Sequence, residues 1–426
     1  MSTKRTVCIL VLLSTFMVAS LAVQAKEVTT IRYAFWGNPT AIGVEQDIID
    51  AFHEAHPEIK VVPVAVAYND HHTKLLTQIA GGMAPDVMRI DSYFFADFIN
   101  ADAMLDITDL IERDNINMDL YYEAGLLDSI HNGRYYGLPW GTAPLYMVVN
   151  IGMFEEAGLP VPDPDWDWDQ FLGIIKKLSR GEGTKRQYGF GFESNLVSLF
   201  PFIWGSGGDL FDEARTTFTL NDPKAVGVFD TFGKMVADNL VPDPANFLTT
   251  EVLSRWTINN TVAMRYGSAQ EILALQQAED LRFIVMPMPG GNEVKNTTVY
   301  KSNTVSISKS SQNKEAAWTF LKFLRGPGLE GERLYMKANR IPPTFNVPEL
   351  WELFADPAKH PKNIVEMTQL IASKYAHTLP LRPGWNEFTS IIESELQKVF
   401  AGQIPAQEAM VKIAPRVQEV LDRTGQ

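Results

Sequence analysis

A stretch near the N-terminus alternates between apolar runs typical of strands and amphipathic runs typical of helices. The strands are predicted at 30–36, 59–67 and 86–90, and the helices at 43–56 and 73–80. Because a strand, a helix and a further strand in this order usually pair in parallel, the pattern predicts an α/β lobe with a parallel sheet. A chain of 426 residues is too long for one core, so we expect two lobes.

A second α/β region follows further along the chain. Its predicted elements are strands at 188–192, 261–264 and 282–288, helices at 168–178, 223–238 and 314–324, and a final helix pair within 387–422. Strands and helices again alternate over most of this region, so it predicts the second lobe.

The segment 135–149 is long, apolar and interrupted by Pro139, Gly141 and Pro144. An extended run with such kinks is typical of a chain that crosses from one lobe to the other, and a single strand with a bulge is the alternative interpretation. The predicted strand at 282–288 runs into prolines and glycines and is a second candidate crossing.

Polar side chains follow the third predicted strand. The preceding helix stops at Gly81-Gly82, the strand ends at Ile90, and Asp91, Ser92 and Tyr93 come next. Ligands of open α/β sheets bind beyond the carboxyl ends of the strands, so this stretch indicates one wall of a ligand site.

The first 25 residues predict a cleaved signal peptide. Lys4 and Arg5 precede an apolar run, and Val23-Gln24-Ala25 offers small residues at the two positions that a cleavage site requires. A transmembrane anchor is the alternative, but the apolar run is short and no basic cluster follows it.

The cysteine content and the net charge limit the classes of function. Cys8, the only cysteine, lies in the leader, and Ala25-Lys26 offers no cysteine for a lipid anchor, so we expect a free, soluble mature protein without disulfides or zinc–thiolate sites. A formal net charge of −14 would repel a nucleic acid.

Motifs of common enzymes are absent from the sequence. It contains no phosphate-binding GxxxxGK[ST] loop, no GxSxG nucleophile turn and no HExxH zinc helix. Carboxylates are numerous, so a glycosidase pair stays open, but no pair stands out. His71-His72 is a metal candidate, yet neighbours on a helix point about 100° apart, so we interpret the pair as a polar face at a helix start. We predict no metal and no cofactor.

The positions of the tryptophans favour a sugar site. Nine occur, and five fall at predicted strand ends or turns: Trp36, Trp140, Trp204, Trp256 and Trp385. Flat aromatic faces stack on the C–H faces of sugar rings, whereas each tryptophan taken alone fits a hydrophobic core better than a ligand wall. The set as a whole favours a carbohydrate pocket.

The chain resembles the family 1 extracellular solute-binding proteins, the carbohydrate receptors of ABC importers. Two elements are specific, G-x-x-P-D at 82–86 and GLPW…L-Y…N…F-x-x-AGL at 137–159, and the tail G-x-x-P-x-x-EAM at 402–410 fits the last helix pair of the family. The other matching segments are 75–91, 135–162, 204–211, 259–268, 285–291 and 306–324.

The resemblance implies a two-lobe periplasmic binding protein fold of type II-like topology, with two discontinuous α/β lobes around a hinge and a ligand cleft. The implied lobes are 26–141 plus 289–338, and 142–288 plus 339–426. It further implies a monomer that is not an enzyme, that closes on a mono- or oligosaccharide, and that delivers it to the membrane permease of an ABC importer.

By position, the cleft residues of the family fall on twelve residues here: Trp36, Asn38, Asp91, Tyr93, Trp140, Trp204, Asp209, Tyr266, Ser268, Asn303, Arg382 and Trp385. The maltose receptors of the family carry a glutamate where this chain has Ala143, and an aspartate–arginine pair where it has Tyr93-Phe94. These departures argue against maltose as the ligand.

Two other functions stay open from the sequence. The same fold binds glycerol phosphate, polyols or polyamines in other receptors, and Arg265 and Arg382 would suit a phosphate. A secreted enzyme acting on polysaccharide is the second alternative, and turnover of a saccharide would distinguish it.

Overall fold

The computed structural model describes residues 28–244, 248–276, 278–295, 297–338, 341–358 and 361–424. The predicted signal peptide lies outside these residues. Within the described ranges, no helix is both long and apolar enough to cross a membrane.

The strands, in chain order, are β1 (Thr29–Trp36), β2 (Ile59–Val66), β3 (Val87–Ile90), β4 (Ile130–His131), β5 (Arg134–Tyr135), β6 (Leu138–Pro144), β7 (Tyr146–Asn150), β8 (Met264–Gly267), β9 (Phe283–Met286), β10 (Thr298–Ile307) and β11 (Ala376–His377).

The helices are α1 (Pro39–Ala55), α2 (Tyr68–Ala80), α3 (Ser92–Asn100), α4 (Thr108–Arg113), α5 (Glu123–Leu126), α6 (Ile151–Glu156), α7 (Trp168–Leu178), α8 (Leu196–Gly205), α9 (Pro223–Ala237), α10 (Thr250–Ile258), α11 (Ala269–Leu275), α12 (Lys314–Arg325), α13 (Glu330–Lys337), α14 (Pro348–Phe354), α15 (Ile364–Leu370), α16 (Trp385–Phe400) and α17 (Ala406–Thr424). Single turns occur at Met118–Leu120, Leu127–Ser129, Gly183–Lys185 and Ile371–Tyr375.

The first sheet has the strand order β11-β10-β3-β1-β2, and β6 also pairs with β10. β1 pairs in parallel with β2 and β3, as the alternation of strands and helices predicts. β10 enters antiparallel to β3 and β6, with a register shift between Ser302 and Asn303. The carboxyl ends of β1, β2 and β3 therefore meet at one edge of this sheet.

The second sheet has the order β8-β7-β9, with both neighbours antiparallel to β7. Because β6 ends at Pro144 and β7 begins at Tyr146, the chain passes from one sheet to the other at Leu145, within the predicted crossing segment. It returns between Met286 and Thr298. The predicted lobe boundary at residue 141 falls inside β6, which stays paired with β10 as far as Pro144.

The last part of the chain contacts both sheets. After residue 338, which was predicted to end the first lobe, α14 still packs against α13, whereas α15 packs on β9 of the second sheet. α16 and α17 then pack on each other and on α9.

Each lobe has its own large apolar core. In the first, Phe320 lies against the rings of Tyr33 and Phe52, with centroids 5.3 and 5.0 Å apart. In the second, Phe202 and Phe232 pack with centroids 5.0 Å apart. Burying one such ring stabilises the fold by roughly 1.5–3 kcal/mol. The first cluster continues onto one face of β7, so the two cores adjoin.

Several predicted elements differ in the structure. The predicted strand 188–192 forms only isolated bridges, Tyr188 to Val262 and Gly191 to Arg265, because no continuous partner runs beside it. The predicted strand 261–264 is displaced to Met264–Gly267. The first helix begins at Pro39 rather than 43, since the Asn38 side chain caps it by accepting from the Ala41 N–H.

His71 and His72 correct the prediction of a polar helix face. Both are almost fully buried. His71 Nε2 lies 2.8 Å from the Arg89 carbonyl oxygen, and His72 Nε2 accepts from the Asp91 N–H at 3.0 Å. Burial lowers the pKa of His71 to about 4 and that of His72 to about 3, so both are neutral structural groups.

Candidate functional site

A cavity lies between the two sheets and receives walls from both. Its cavity volume is about 350 Å³, within the size range of small-molecule sites. We call it the central cavity; its lining is Trp36, Tyr68, Asp91, Trp140, Gly141, Thr142, Ala143, Ser268, Ala269, Lys301, Asn303 and Ile341.

Strand ends bring the first-lobe wall together. Trp36 is the last residue of β1, Tyr68 begins the helix after β2, and Asp91 follows β3. These three parallel strands end at the same edge, so their following residues meet there. Ser268, which follows β8, supplies the opposite wall from the second sheet.

Asp91 and Lys301 form an ion pair in this wall. Lys301 Nζ lies 3.0 Å from Asp91 Oδ1 and 4.0 Å from the ring centroid of Tyr93. Burial alone would lower the pKa of the lysine, but the adjacent Asp91 carboxylate and the Tyr93 and Tyr68 phenols raise it above its ordinary value. Lys301 is therefore charged, and Asp91 balances its charge.

Arg89 lies between the two indoles of the site. Its guanidinium carbon is 4.2 Å from the ring centroids of both Trp36 and Trp140. Arg89 Nη1 donates to Glu45 Oε1 at 2.7 Å, and the Tyr335 hydroxyl donates to the same oxygen. Arg89 is 2% exposed and Glu45 1%. The guanidinium of this buried pair therefore lies in cation–π contact with both tryptophans.

Asp128 lies beside strand β10 of the first sheet. Its Oδ2 accepts from the Ser302 N–H at 2.7 Å. Burial raises the pKa of Asp128 to about 7, although the Ser302 hydrogen bond and Lys301 oppose the rise. A carboxyl group with a pKa near neutral therefore accepts a hydrogen bond from the strand that carries Lys301 and Asn303 of the cavity wall.

The structure brings part of the predicted site together. Five predicted residues line the central cavity: Trp36, Asp91, Trp140, Ser268 and Asn303. Asn38 lines a neighbouring cavity together with Trp36 and Trp140. Tyr93 lies beside Lys301, and its ring is parallel to that of Trp385 with centroids 6.0 Å apart.

The remaining predicted residues lie in the second lobe and are absent from the described lining of the central cavity. Trp204 and Trp385 are buried in the core, and the Trp204 indole donates to Asp209 at 3.2 Å. The Tyr266 hydroxyl donates to the Glu193 carbonyl, and Arg382 donates to main-chain carbonyls of neighbouring segments. All twelve stay predictions as ligand contacts.

Sequence reasoning missed Tyr68, Thr142 and Lys301 in the lining. Lys301 is the single charged residue in the strand TVYKSNTVSI, and a charge inside an otherwise uncharged strand could have indicated a site. Tyr68 directly follows the second strand, so the argument that placed Asp91 at the sheet edge applies to it equally.

The cavity can bind a polar ring without net charge. Two half-buried indoles offer flat apolar faces, while Asp91, Lys301 and Asn303 offer acceptors and donors. The ion pair cancels its own charge, so it does not select for an anion or a cation. Among the described residues, no group of acidic, histidine or cysteine side chains is arranged to hold a metal.

Comparisons with known proteins agree with this architecture. An ABC substrate-binding protein of Listeria monocytogenes, solved in complex with cycloalternan, superposes with a TM-score of 0.79 at 24% identity, over 92% of this chain and 99% of the other. The sugar-binding protein MalE of Xanthomonas citri superposes with a TM-score of 0.79 at 18% identity, over 93% and 98%. These similarities confirm the predicted two-lobe α/β fold.

The sequence itself gives the family. It is 25% identical to an uncharacterized lipoprotein of Streptomyces antibioticus in an alignment of 344 residues that covers 77% of this chain and 73% of the relative. Residues 38–330 match the family described as bacterial extracellular solute-binding protein. That match covers more than half of the sequence and confirms the predicted resemblance, so this chain belongs to the bacterial extracellular solute-binding proteins.

Proposed function

We propose that this protein is a periplasmic receptor that captures a carbohydrate between its lobes and delivers it to an ABC importer. The observation that carries the proposal is the central cavity, where Trp36 and Trp140 stand beside Asp91, Lys301 and Asn303. Indole faces suit the C–H faces of a pyranose, and the polar groups suit its hydroxyls. The Listeria and Xanthomonas proteins, whose names refer to a bound saccharide and to sugar binding, support this ligand class.

Lobe closure is the proposed mechanism. A sugar that contacts Trp36 on one lobe and Ser268 on the other gains contacts from both lobes only when the lobes are closed. Such a ligand binds the closed form more tightly and shifts the population towards it. The hinge would lie near Leu145 and between Met286 and Thr298, where the chain passes between the sheets.

The remaining parts of the proposal concern location and partners. The predicted leader and the extracellular family support export. We propose that the closed monomer then docks on the membrane permease of the importer. The lipoprotein name of the Streptomyces relative describes an anchored protein, whereas the predicted cleavage site of this chain has no cysteine. The receptor would bind and release its sugar without chemical change.

Thermal melting against a ligand panel tests the proposal. The panel comprises monosaccharides, oligosaccharides, polyols, glycerol phosphates and polyamines, each with the purified mature chain. A ligand at 100 times its dissociation constant stabilises the folded state by about 2.7 kcal/mol, a readable rise in Tm. We expect the rise with one group of saccharides and recovery of that saccharide unchanged by chromatography after long incubation.

Other outcomes contradict specific parts of the proposal. A rise with only a phosphate or a polyamine would replace the carbohydrate by a different solute. Loss of the saccharide with time would make the protein an enzyme. No rise with any carbohydrate would remove the assigned ligand class.

A further inference from the structure

We infer that Asp128 is a positioning residue for the ligand, and that gain or loss of its proton changes the affinity for sugar near neutral pH. The inference rests on the proposed function and adds a pH control to it. Asp128 is absent from the described lining of the central cavity, so it acts through strand β10, which it contacts.

The contact holds one residue of β10 in place. Asp128 Oδ2 accepts from the Ser302 N–H at 2.7 Å, and the Ser302 hydroxyl donates to the Gly141 carbonyl of β6 at 2.8 Å. Successive side chains of a strand point to opposite faces, so Lys301 and Asn303 share a face, and both line the central cavity. A shift of the Ser302 backbone would therefore move two residues of the cavity wall.

Regular strand pairing is interrupted around Ser302. The pairing of β10 with β3 stops at Thr304 and Ile90, and the register between β10 and β6 shifts between Ser302 and Asn303. The single turn Leu127–Ser129 supports the strand here, since the Ser129 hydroxyl donates to the Thr304 hydroxyl at 2.8 Å and Asp128 accepts from Ser302. The Asp128 carboxyl thus takes the role of a strand partner.

The strength of this support depends on the charge of Asp128. A hydrogen bond to an ionised carboxylate is roughly twice as strong as one between neutral groups. Burial raises the pKa of Asp128 to about 7, so both forms are populated near neutral pH. The ionised form holds Ser302 more firmly, and we expect it to bind sugar more tightly.

A separate cavity connects Asp128 with the surface. We call it the rear cavity; its volume is about 230 Å³, and its walls include Ser92, Leu127, Asp128, His131 and Arg215. His131 and Arg215 are exposed, so water reaches this cavity. Asp128 can therefore exchange its proton while a sugar fills the central cavity.

The charged and titratable neighbours of Asp128 come from several elements: Lys301 of β10, Asp91 and Tyr93 after β3, His131 of β4 and Arg215 of the second lobe. Lys301 favours the ionised form of Asp128, and Asp91 favours the protonated form. Burial raises the pKa of Tyr93, so its phenol stays neutral. Histidine commonly titrates near neutral pH, so His131 requires its own control.

Titration calorimetry at pH 6, pH 7 and pH 8 tests the inference. The probes are glucose, galactose and sucrose, extended to whichever saccharide of the panel raises Tm most. We expect the affinity of the wild-type protein to rise by roughly threefold or more from pH 6 to pH 8, because the charged acceptor replaces the neutral one.

A matched pair of variants assigns the pH dependence to one residue. Asp128→Asn keeps a neutral acceptor for the Ser302 N–H, so its affinity should stay near the wild-type value at pH 6 throughout this range. His131→Gln removes the histidine from the same rear cavity and should keep the wild-type dependence.

Proton release on binding is a second measurement, and it needs no variant. If sugar binds the ionised form more tightly, then sugar must in turn favour loss of the proton. The wild-type binding enthalpy at pH 7 should therefore differ between two buffers of different ionisation enthalpy, by an amount that corresponds to release of a fraction of a proton. This result decides the matter even if Asp128→Asn does not fold.

Each outcome has a separate meaning. Equal affinity at pH 6 and pH 8, affinity that falls as pH rises, or binding without proton release would each overturn the role of Asp128 while the carbohydrate function still stands. A pH dependence that persists in Asp128→Asn or disappears in His131→Gln would overturn it as well. If the wild-type protein binds no carbohydrate at any pH, both the proposed function and this inference are wrong.

Discussion

Two tryptophans from each lobe that were predicted to line the cleft lie in different surroundings. In the first lobe, Trp36 and Trp140 are half-buried and line the central cavity with Arg89 between them. In the second lobe, Trp204 and Trp385 are each 3% exposed and belong to the core. A tryptophan at the end of an element is therefore not by itself a ligand contact, and its surroundings decide which role it has.

The surroundings differ in the local sequence. Trp36 ends a strand and is followed by the turn Gly37-Asn38 and the start of α1 at Pro39, and its side chain is only partly buried. Trp385 starts a long helix in which Phe388 and Ile392 continue the same buried face at helical spacing. Trp385 is therefore buried because its helix continues with further apolar residues on the same face, whereas Trp36 stays at the sheet edge because its strand ends there.

The largest expected effect contrasts these two tryptophans. Trp385→Ala should destabilise the fold by about 3–5 kcal/mol, because it leaves a cavity in a packed core. Trp36→Ala should cost less, since this side chain is only partly buried. Urea unfolding of both variants measures the difference. Equal losses in the free energy of unfolding would mean that Trp36 and Trp385 contribute equally to the core.

The two lobes also differ in how deeply an arginine–glutamate ion pair is buried. Arg89 and Glu45 in the first lobe are both almost fully buried, whereas Arg265 in the second lobe pairs with Glu271, whose side chain is 24% exposed. Arg89→Met should destabilise by roughly 3 kcal/mol, since it leaves Glu45 charged and buried. Arg265→Met should cost less, because water reaches Glu271.

The control for that comparison is Glu45→Gln combined with Arg89→Met, which removes both charges and should recover part of the lost stability. Urea unfolding of the single and double variants gives their free energies of unfolding, from which the interaction energy between Arg89 and Glu45 follows. A double variant that is less stable than Arg89→Met alone would show that the pair contributes through packing rather than charge.

The next smaller expected effect is on saccharide affinity, and it again compares a tryptophan of the first lobe with one of the second. Trp36→Ala should weaken saccharide binding by roughly 1–3 kcal/mol, the value of losing contact with one large side chain. Trp256 is the matched control, since it is also half-buried but stacks on Tyr188 in the second lobe, outside the central cavity. Titration calorimetry with the saccharide that raises Tm measures both. Equal weakening would remove the assigned cavity.

Local signals predicted the fold well. The helix at Trp168–Leu178 begins at Asp167 as expected, because the Asp167 side chain accepts from the Gln170 N–H in a capping box. The strand at 188–192 failed, since a strand needs a continuous partner and its partner residues, Val262 and Arg265, come from a distant part of the chain. Periodicity does not report such pairing.

The sequence predicted the site residues that lie at the ends of parallel strands, because the strand order alone places them at one edge of the sheet. Trp36 ends β1 and Asp91 directly follows β3, and because these two strands are parallel neighbours the two residues lie close together. Lys301 arrives on an antiparallel strand more than 200 residues later, and its partner Asp91 cannot be identified from spacing. Trp204 and Trp385 lie in the core, a burial that their position along the chain did not indicate, and as ligand contacts they stay predictions.

The smallest expected effect compares two buried carboxyl groups. Burial raises the pKa of Asp128 in the first lobe to about 7, whereas hydrogen bonds from Lys398, aided by Lys412, lower the pKa of Glu395 in the second lobe. A raised pKa means that the folded state holds the proton more tightly than the unfolded state. The Asp128 contribution to stability is therefore complete below the ordinary aspartate pKa and is lost as pH rises through about 7.

Glu395 has the opposite sign, so its contribution is lost on acidification and does not change near neutral pH. Asp128→Asn keeps an acceptor for the Ser302 N–H but cannot titrate. Between pH 6 and pH 8 the wild-type protein should lose about 1 kcal/mol more stability than Asp128→Asn, and no such difference should separate it from Glu395→Gln. Unfolding curves at both pH values measure this, and parallel losses in all three proteins would place the Asp128 proton outside the physiological range.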